Sequence, residues 1–295
     1  MIALALGVSL LSLVGCSSLT GKSTDTVTIV GKNFTEQDIL TELVGTMLEK
    51  NTGLHVKTKP YLGGTDVCFS ALKTGSADVY VEYTGTGLVN IMGEPVLTDP
   101  DQAYEKVKAA FPSKYGIEWL KPIGFNNTYA VAVTEETARK YNLKTVSDLQ
   151  KHAGEIVFGT EQEFLDRPDG LKGLSETYGL KFQDVKAMDP GLKYQALTSG
   201  KVNAIDAFTT DGRLIQNHLV LLQDDKHFFP PYYAAPIVRQ EALRAHPEIA
   251  EQLNRLAGKI DEAQMAKLNA EIDVDKKQAR AVAESWLKQQ GLISN

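Results

Sequence analysis

Cysteine is almost missing from this chain: Cys16 and Cys68 are the only two in 295 residues. With Cys16 assigned to a modification below, one thiol remains. No internal disulfide can form, and the fold must be held by its core. Cys68 lies among Val67, Phe69, Ala71 and Leu72 and reads as a buried structural thiol. Histidine is equally sparse. His55, His152, His218, His227 and His246 show no metal-ligand spacing. No basic run exists, and 31 Lys and Arg face 37 Asp and Glu for a net charge of −6. That argues against a nucleic-acid binder, which would present a basic face. Catalytic signatures are absent too: there is no G-x-S-x-G, H-E-x-x-H or C-x-x-C. "GKST" at 21–24 lacks the first glycine of a P-loop, and "GTGLVN" at 85–90 lacks the third glycine of a dinucleotide fingerprint. "DRPDG" at 166–170 is first of all a turn. Nothing calls for an enzyme, a metal or a cofactor.

No apolar run reaches the ~20 residues that a membrane-spanning helix needs. Residues 2–15 are apolar or small and end in Leu13-Val14-Gly15-Cys16. They read as a signal peptide, residues 1–15, and the placement of Cys16 resembles a lipobox whose cysteine is lipidated. Residues 16–25 then form a polar, lipidated tether. The first basic residue is Lys22, where a signal peptide should open with Lys or Arg. A start upstream of Met1 and a hydrophobic N-terminal helix of the fold stay open as alternatives.

What the chain does have is alternation. Residues 27–30 read as a strand. Thr35 is a candidate N-cap, followed by Ile39, Leu40, Leu43, Val44, Met47 and Leu48 at helical spacing. Residues 55–59 read as a strand, 66–73 as a helix stopped by Gly75, and 78–83 as a strand. This β-α-β-α-β order predicts a mainly parallel sheet. The pattern restarts with strands at 129–134, 156–158 and 204–208 and a helix at 194–197. After residue 237 the chain reads as helical over 247–258, 262–271 and 276–290. Two α/β units suggest two lobes facing a cleft, with function on the segments that follow strands.

Aromatics are unevenly placed. Tyr83 and Phe208 end strands, and Tyr129 begins one. "FFPPYYAAP" at 228–236 sets four rings among three prolines. No helix fits that spacing, and a strand would lose ladder donors at Pro230, Pro231 and Pro236. The segment is either a packed loop or one wall of a binding site. Converging rings would make a box for a soft cation, each worth ~0.5–2 kcal/mol when desolvated. Four would give roughly 2–8 kcal/mol before ordering costs, and about 8 kcal/mol corresponds to micromolar binding.

The segments "VGKNFTEQ", "LGGTDV", "VEYTGTG", "GFNNTYA", "FGTEQEFLDRPDG", "DPGLKYQAL", "AFTTDGR" and "DDKHFFPPYYAAP" occur in this order. Together they resemble the substrate-binding proteins of osmoprotectant ABC transporters, the glycine betaine/choline/carnitine group. The similarity runs from Val27 to the C-terminus. It implies a bilobal type II periplasmic-binding-protein fold, two α/β lobes joined by a two-strand hinge. Lobe 1 would hold residues 26–126 and 233–295, and lobe 2 residues 127–232. It implies an aromatic cage of Tyr83, Tyr129, Phe208 and Tyr232 around a trimethylammonium group, with Lys32, Thr86 and Arg167 contacting a ligand carboxylate. Phe208 stands where a betaine binder has tyrosine. Asp66 and Glu82 add negative charge, which favours a pure cation such as choline or hydrogen-bonds a more elaborate betaine. "FLDRPDG" and "GLKYQAL" are also similar to the ergothioneine-binding branch, where Glu82, Asp166 and Tyr194 would meet the imidazole-thione. Glu82 and Asp166 read equally well as surface carboxylates. The implied partners are a small quaternary-ammonium ligand, a permease with its ATPase on a further chain, and a membrane reached by the lipid on Cys16. The protein is expected as an extracytoplasmic, lipid-anchored monomer without enzymatic activity.

Overall fold

A computed structural model describes residues 26–294. The assignments made above to residues 1–25, including Cys16, lie outside the described residues. Two five-stranded sheets organise the chain. The first contains β1 (Thr26–Lys32), β2 (His55–Gly63), β3 (Val79–Tyr83), β4 (Ile117–Trp119) and, from much later in sequence, β10 (Ala234–Arg239), in the order β2-β1-β3-β10-β4. The second contains β5 (Tyr129–Thr134), β6 (Val157–Thr160), β7 (Asp184–Ala187), β8 (Ala204–Phe208) and β9 (Leu219–Leu222), in the order β7-β6-β8-β5-β9. In each sheet four strands run in one direction and one, β10 in the first and β5 in the second, runs against them. This is the bilobal type II periplasmic-binding-protein fold.

Local chemistry explains the strand positions. β1 and β3 are buried along nearly their whole length, as interior parallel strands must be. β2 alternates between half-buried and exposed and carries Lys57, Lys59 and Pro60, all tolerable because it is an edge. The helix Thr35–Asn51 buries Ile39, Leu40, Leu43, Val44, Met47 and Leu48 against the sheet and the C-terminal helix Ala279–Gln289. A Cβ on Gly31 would sit 2.2 Å from Thr41 Oγ1 and 2.9 Å from the Gln37 carbonyl. Glycine there lets the helix start press onto the end of β1. The N-cap is Phe34, with no side-chain bond, and not Thr35. The Thr35 hydroxyl instead donates to Asp273 Oδ1 at 2.7 Å.

One expectation about the proline-rich stretch is corrected. Pro236 lies inside β10, between β3 and β4. Its carbonyl accepts from Leu120 N at 2.9 Å, so its missing N–H would have faced the Leu120 carbonyl. The Tyr104 hydroxyl donates to that carbonyl at 3.0 Å and fills the gap. Tyr104→Phe should therefore cost about 1 kcal/mol of stability, read by urea unfolding. No change would show that the carbonyl is satisfied otherwise.

Two segments connect the sheets, residues 120–128 and 223–233. They run antiparallel, with an Asn126–Tyr233 bridge. Asn127 N donates to the Tyr232 carbonyl at 3.0 Å, and Tyr232 N to Asn126 Oδ1 at 2.7 Å.

Candidate functional site

The strands deliver the aromatic residues to one place. Tyr129 opens β5 and Phe208 closes β8, and the two are direct cross-strand partners. Tyr83 closes β3 opposite Ala234 of β10, two residues after Tyr232. The four meet at a cavity of about 350 Å³ between the sheets, at the low end of small-ligand sites. The rings form a continuous wall. Tyr129 lies 4.9 Å from Phe208 and meets Tyr232 edge-on at 5.6 Å, centroid to centroid. Phe34, which the sequence reading left out of the cage, stacks on Phe208 at 5.2 Å and lies 6.4 Å from Tyr83. Its signal was there, an aromatic directly after a strand in "GKNF".

Each tyrosine is fixed by its hydroxyl. Tyr83 donates to Glu36 Oε1 at 2.7 Å, Tyr129 to Glu161 Oε1 at 3.3 Å and Tyr232 to Asp169 Oδ2 at 2.6 Å. Burial, reinforced by these carboxylates, pushes all three phenols well above their ordinary range, so they stay neutral. Gly85 leaves room for Tyr232: a Cβ there would sit 2.8 Å from its ring carbons.

Three protein cations already lie over these rings. Lys32 Nζ is 5.3 Å from the Tyr83 centroid, Arg167 Cζ is 5.4 Å from Tyr129 and 5.8 Å from Tyr232, and Lys193 Nζ is 4.9 Å from Phe208. All three are buried and paired. Lys32 bonds Glu82 Oε1 at 2.7 Å. Arg167 grips Asp169 with two N–H groups at 2.8 and 2.6 Å and reaches Glu163 at 3.2 Å. Lys193 bonds Asp206 at 2.5 Å and Glu161 at 3.3 Å. Five carboxylates thus surround three cations.

Of the residues singled out in the sequence, Lys32, Asp66, Tyr83, Thr86, Tyr129, Asp166, Arg167, Phe208 and Tyr232 line this cavity. Glu82 and Tyr194 do not. The Glu82 carboxylate is fully buried behind the wall, held by Lys32 and by the Tyr80 hydroxyl at 2.8 Å, so it is no surface carboxylate either. Tyr194 is buried with the Arg213 guanidinium 4.0 Å from its ring centroid. Asp166 is exposed and accepts from Gln162 Nε2 at 2.8 Å. Cys68 is buried as expected, and desolvation pushes its thiol up to about 12.

The two sheets are clasped on both flanks of the cavity. On one flank Glu163 accepts from the Thr65 hydroxyl and from Thr65 N at the start of the helix Thr65–Thr74, and Arg167 donates to Thr86 Oγ1 at 3.1 Å. On the other, the buried Glu36 takes four donors from four segments. Oε1 accepts from Tyr83 and from Asn127 Nδ2 at 2.8 Å, and Oε2 from Thr210 Oγ1 at 2.5 Å and Asn269 Nδ2 at 3.1 Å. Burial raises the Glu36 pKa against the pull of these bonds. The sequence reading assigned Glu36 no role.

Comparison with known proteins decides the family. The family model described as the substrate binding domain of ABC-type glycine betaine transport system matches residues 25–289. This chain belongs to that family. The binding protein is 38% identical over 284 residues to the carnitine transport binding protein OpuCC of Listeria monocytogenes, covering 95% of this chain and 92% of that one. It is 38% identical over 267 residues to the ergothioneine transport permease/ergothioneine binding protein EgtU of Helicobacter pylori, covering 90% of this chain and 47% of that one. A crystal structure described as a glycine betaine/carnitine/choline ABC transporter superposes with a TM-score of 0.73 at 35% identity, over 90% of this chain and 99% of that one. The binding protein is therefore an extracytoplasmic, solute-binding component of a transport system and not an enzyme. Among the described residues no helix is long and apolar enough to cross a membrane.

Proposed function

We propose that this protein captures a quaternary-ammonium osmoprotectant (glycine betaine, choline or carnitine) between its two lobes and hands it to a membrane permease. The observation that carries the reading is the ring wall: Phe34, Phe208, Tyr129 and Tyr232, with Tyr83 beside them, border one cavity drawn from both sheets. Aromatic faces attract a soft cation that cannot hydrogen-bond. In this reading Tyr83, Tyr129, Phe208, Tyr232 and Phe34 form the cage. Lys32, Asp66, Thr86, Asp166 and Arg167 make the polar contacts. Residues 26–126 and 233–295 form lobe 1, and 127–232 form lobe 2. The two crossing segments act as the hinge on which the lobes close. Lipid on Cys16 tethers the protein to the membrane, and the ATPase lies on a further chain.

A second reading is ergothioneine, a histidine betaine. The carboxylates Asp66, Glu163 and Asp166 on the same cavity favour it, since they can accept the N–H groups of an imidazole-thione.

Calorimetric titration of the full chain with glycine betaine, choline, carnitine and ergothioneine tests both. Micromolar or tighter binding of any of the first three is the expected result. Binding of ergothioneine alone would replace the first reading by the second. Silence from all four would overturn both.

A further inference from the structure

Lys193 is wholly buried and faces two carboxylates, Asp206 at 2.5 Å and Glu161 at 3.3 Å. The shorter contact and full burial assign its charge mainly to Asp206. Asp206 also accepts from Glu161 N at 3.3 Å, which fixes the two carboxylates side by side. Glu161 is left with half of an ammonium and the Tyr129 hydroxyl at 3.3 Å. It is only 6% exposed, and it lines the same cavity as Tyr129 and Phe208. A buried carboxylate without a full counter-charge is costly unless a cation joins it.

We propose that Glu161 is the counter-ion of the ligand's cationic head, so that the site favours a positive charge held against its aromatic wall. The inference rests on the quaternary-ammonium reading above. The charged groups that act on Glu161 are Lys193 from the helix Leu192–Thr198, Asp206 from β8 and Glu163 from the segment after β6; the Tyr129 hydroxyl from β5 donates to it, and Arg167 lies over the Tyr129 ring. Asp211 acts on the lysine. Desolvation, with Asp206 and Glu163 adding repulsion against the pull of Lys193, raises the Glu161 pKa to about 7. The protonated acid carries no charge for the ligand. Affinity is therefore full above pH 7 and falls below it, by at most about tenfold per pH unit. Fold stability moves the other way: a carboxyl whose folded pKa exceeds its unfolded value stabilises most below the unfolded value and loses that contribution as pH rises through about 7. Weaker binding in acid therefore does not arise from a loss of Glu161's own contribution to folding.

The test titrates the full chain at pH 5.5, 6.5, 7.5 and 8.5 with whichever of the four compounds binds, since none of them titrates in that range. Each pH is run in two buffers of different ionisation enthalpy. The expected result is a three- to twentyfold loss of affinity from pH 7.5 to 5.5, with proton release on binding near pH 6.5. Glu161→Gln should flatten the profile and hold it near the acidic value. A flat wild-type profile without proton release overturns the inference, as does an unchanged slope in folded Glu161→Gln. If that variant does not fold, the wild-type buffer dependence decides alone. Absence of binding by all four compounds at every pH removes the functional reading, and this inference with it.

Discussion

Phe208→Leu should weaken binding of a quaternary ammonium about tenfold, or ~1.4 kcal/mol, while Phe208→Tyr stays within about threefold. Phe208 is half-buried, stacked on Phe34 and tilted against Tyr129. Leucine keeps most of that apolar contact and removes the π face, so the loss isolates the cation–π contribution. Tyrosine keeps the face and adds a hydroxyl, which makes phenylalanine here a tolerated form of the cage. The tyrosines are poorer choices for this experiment. Tyr83 is 5% and Tyr232 2% exposed, and both hydroxyls are bonded to carboxylates. Truncating either to alanine would cost about 3–5 kcal/mol of stability and mix folding with binding. Calorimetric titration with parallel thermal melts separates the two effects. A Phe208→Leu variant of unchanged affinity would mean that its ring face is not used, and the cage would have to be drawn from Phe34 and the tyrosines alone.

The alternation of apolar runs made the two α/β units legible, because a buried parallel strand followed by an amphipathic helix has a periodic signature. Elements without that signature were not seen. β4 and β7 have three and four residues, too few to show a period, and β7 is exposed throughout. β10 was hidden by Pro236, whose cost is removed by a tyrosine hydroxyl 132 positions earlier in the chain. The turn after Tyr83 is a short π-helix, Thr86–Ile91, where the sequence showed only glycines and threonine. The rings were legible for a different reason. They stand at strand ends, where open α/β sheets present ligand sites.

Charge partners were not legible, because they depend on register. Ile29 of β1 aligns with Val79 of β3, and the same three-residue step brings Lys32 beside Glu82. That pairing takes Glu82 off the ligand side and neutralises Lys32. Lys32, read as a carboxylate hook, thus meets the cavity already paired with Glu82 and lying over Tyr83. The same holds for Lys193, which sequence alone left without a role. In this cavity the protein supplies its own cations to its own rings, and the carboxylate surplus around them decides what further charge it can accept.

Arg167→Ala should destabilise the protein by about 3–5 kcal/mol, because it leaves a buried charge without its partner. Asp169 is 1% exposed and would retain only the Tyr232 hydroxyl. Glu163 would lose its contact as well, and with it support for the bonds it makes to Thr65 across the cavity. Adding Asp169→Asn to that variant should recover at least about 1 kcal/mol, since a neutral amide is cheaper to bury than a lone carboxylate. Urea unfolding of the wild type and the two variants measures both numbers. Loss of stability below about 1 kcal/mol would show that Asp169 finds another donor or water. The geometry also limits what Arg167 can offer a ligand. Nε and both Nη2 protons are engaged by Asp169 and Thr86, and one Nη1 proton by Glu163. One N–H is left for a ligand carboxylate, not the two-pronged grip that a free guanidinium gives. Arg167→Lys tests this, because it keeps the charge and loses the fork. If the fork serves Asp169, stability should fall while the ratio of glycine betaine to choline affinity stays within about twofold. A selective loss of glycine betaine would instead mean that the guanidinium fork itself grips the ligand carboxylate.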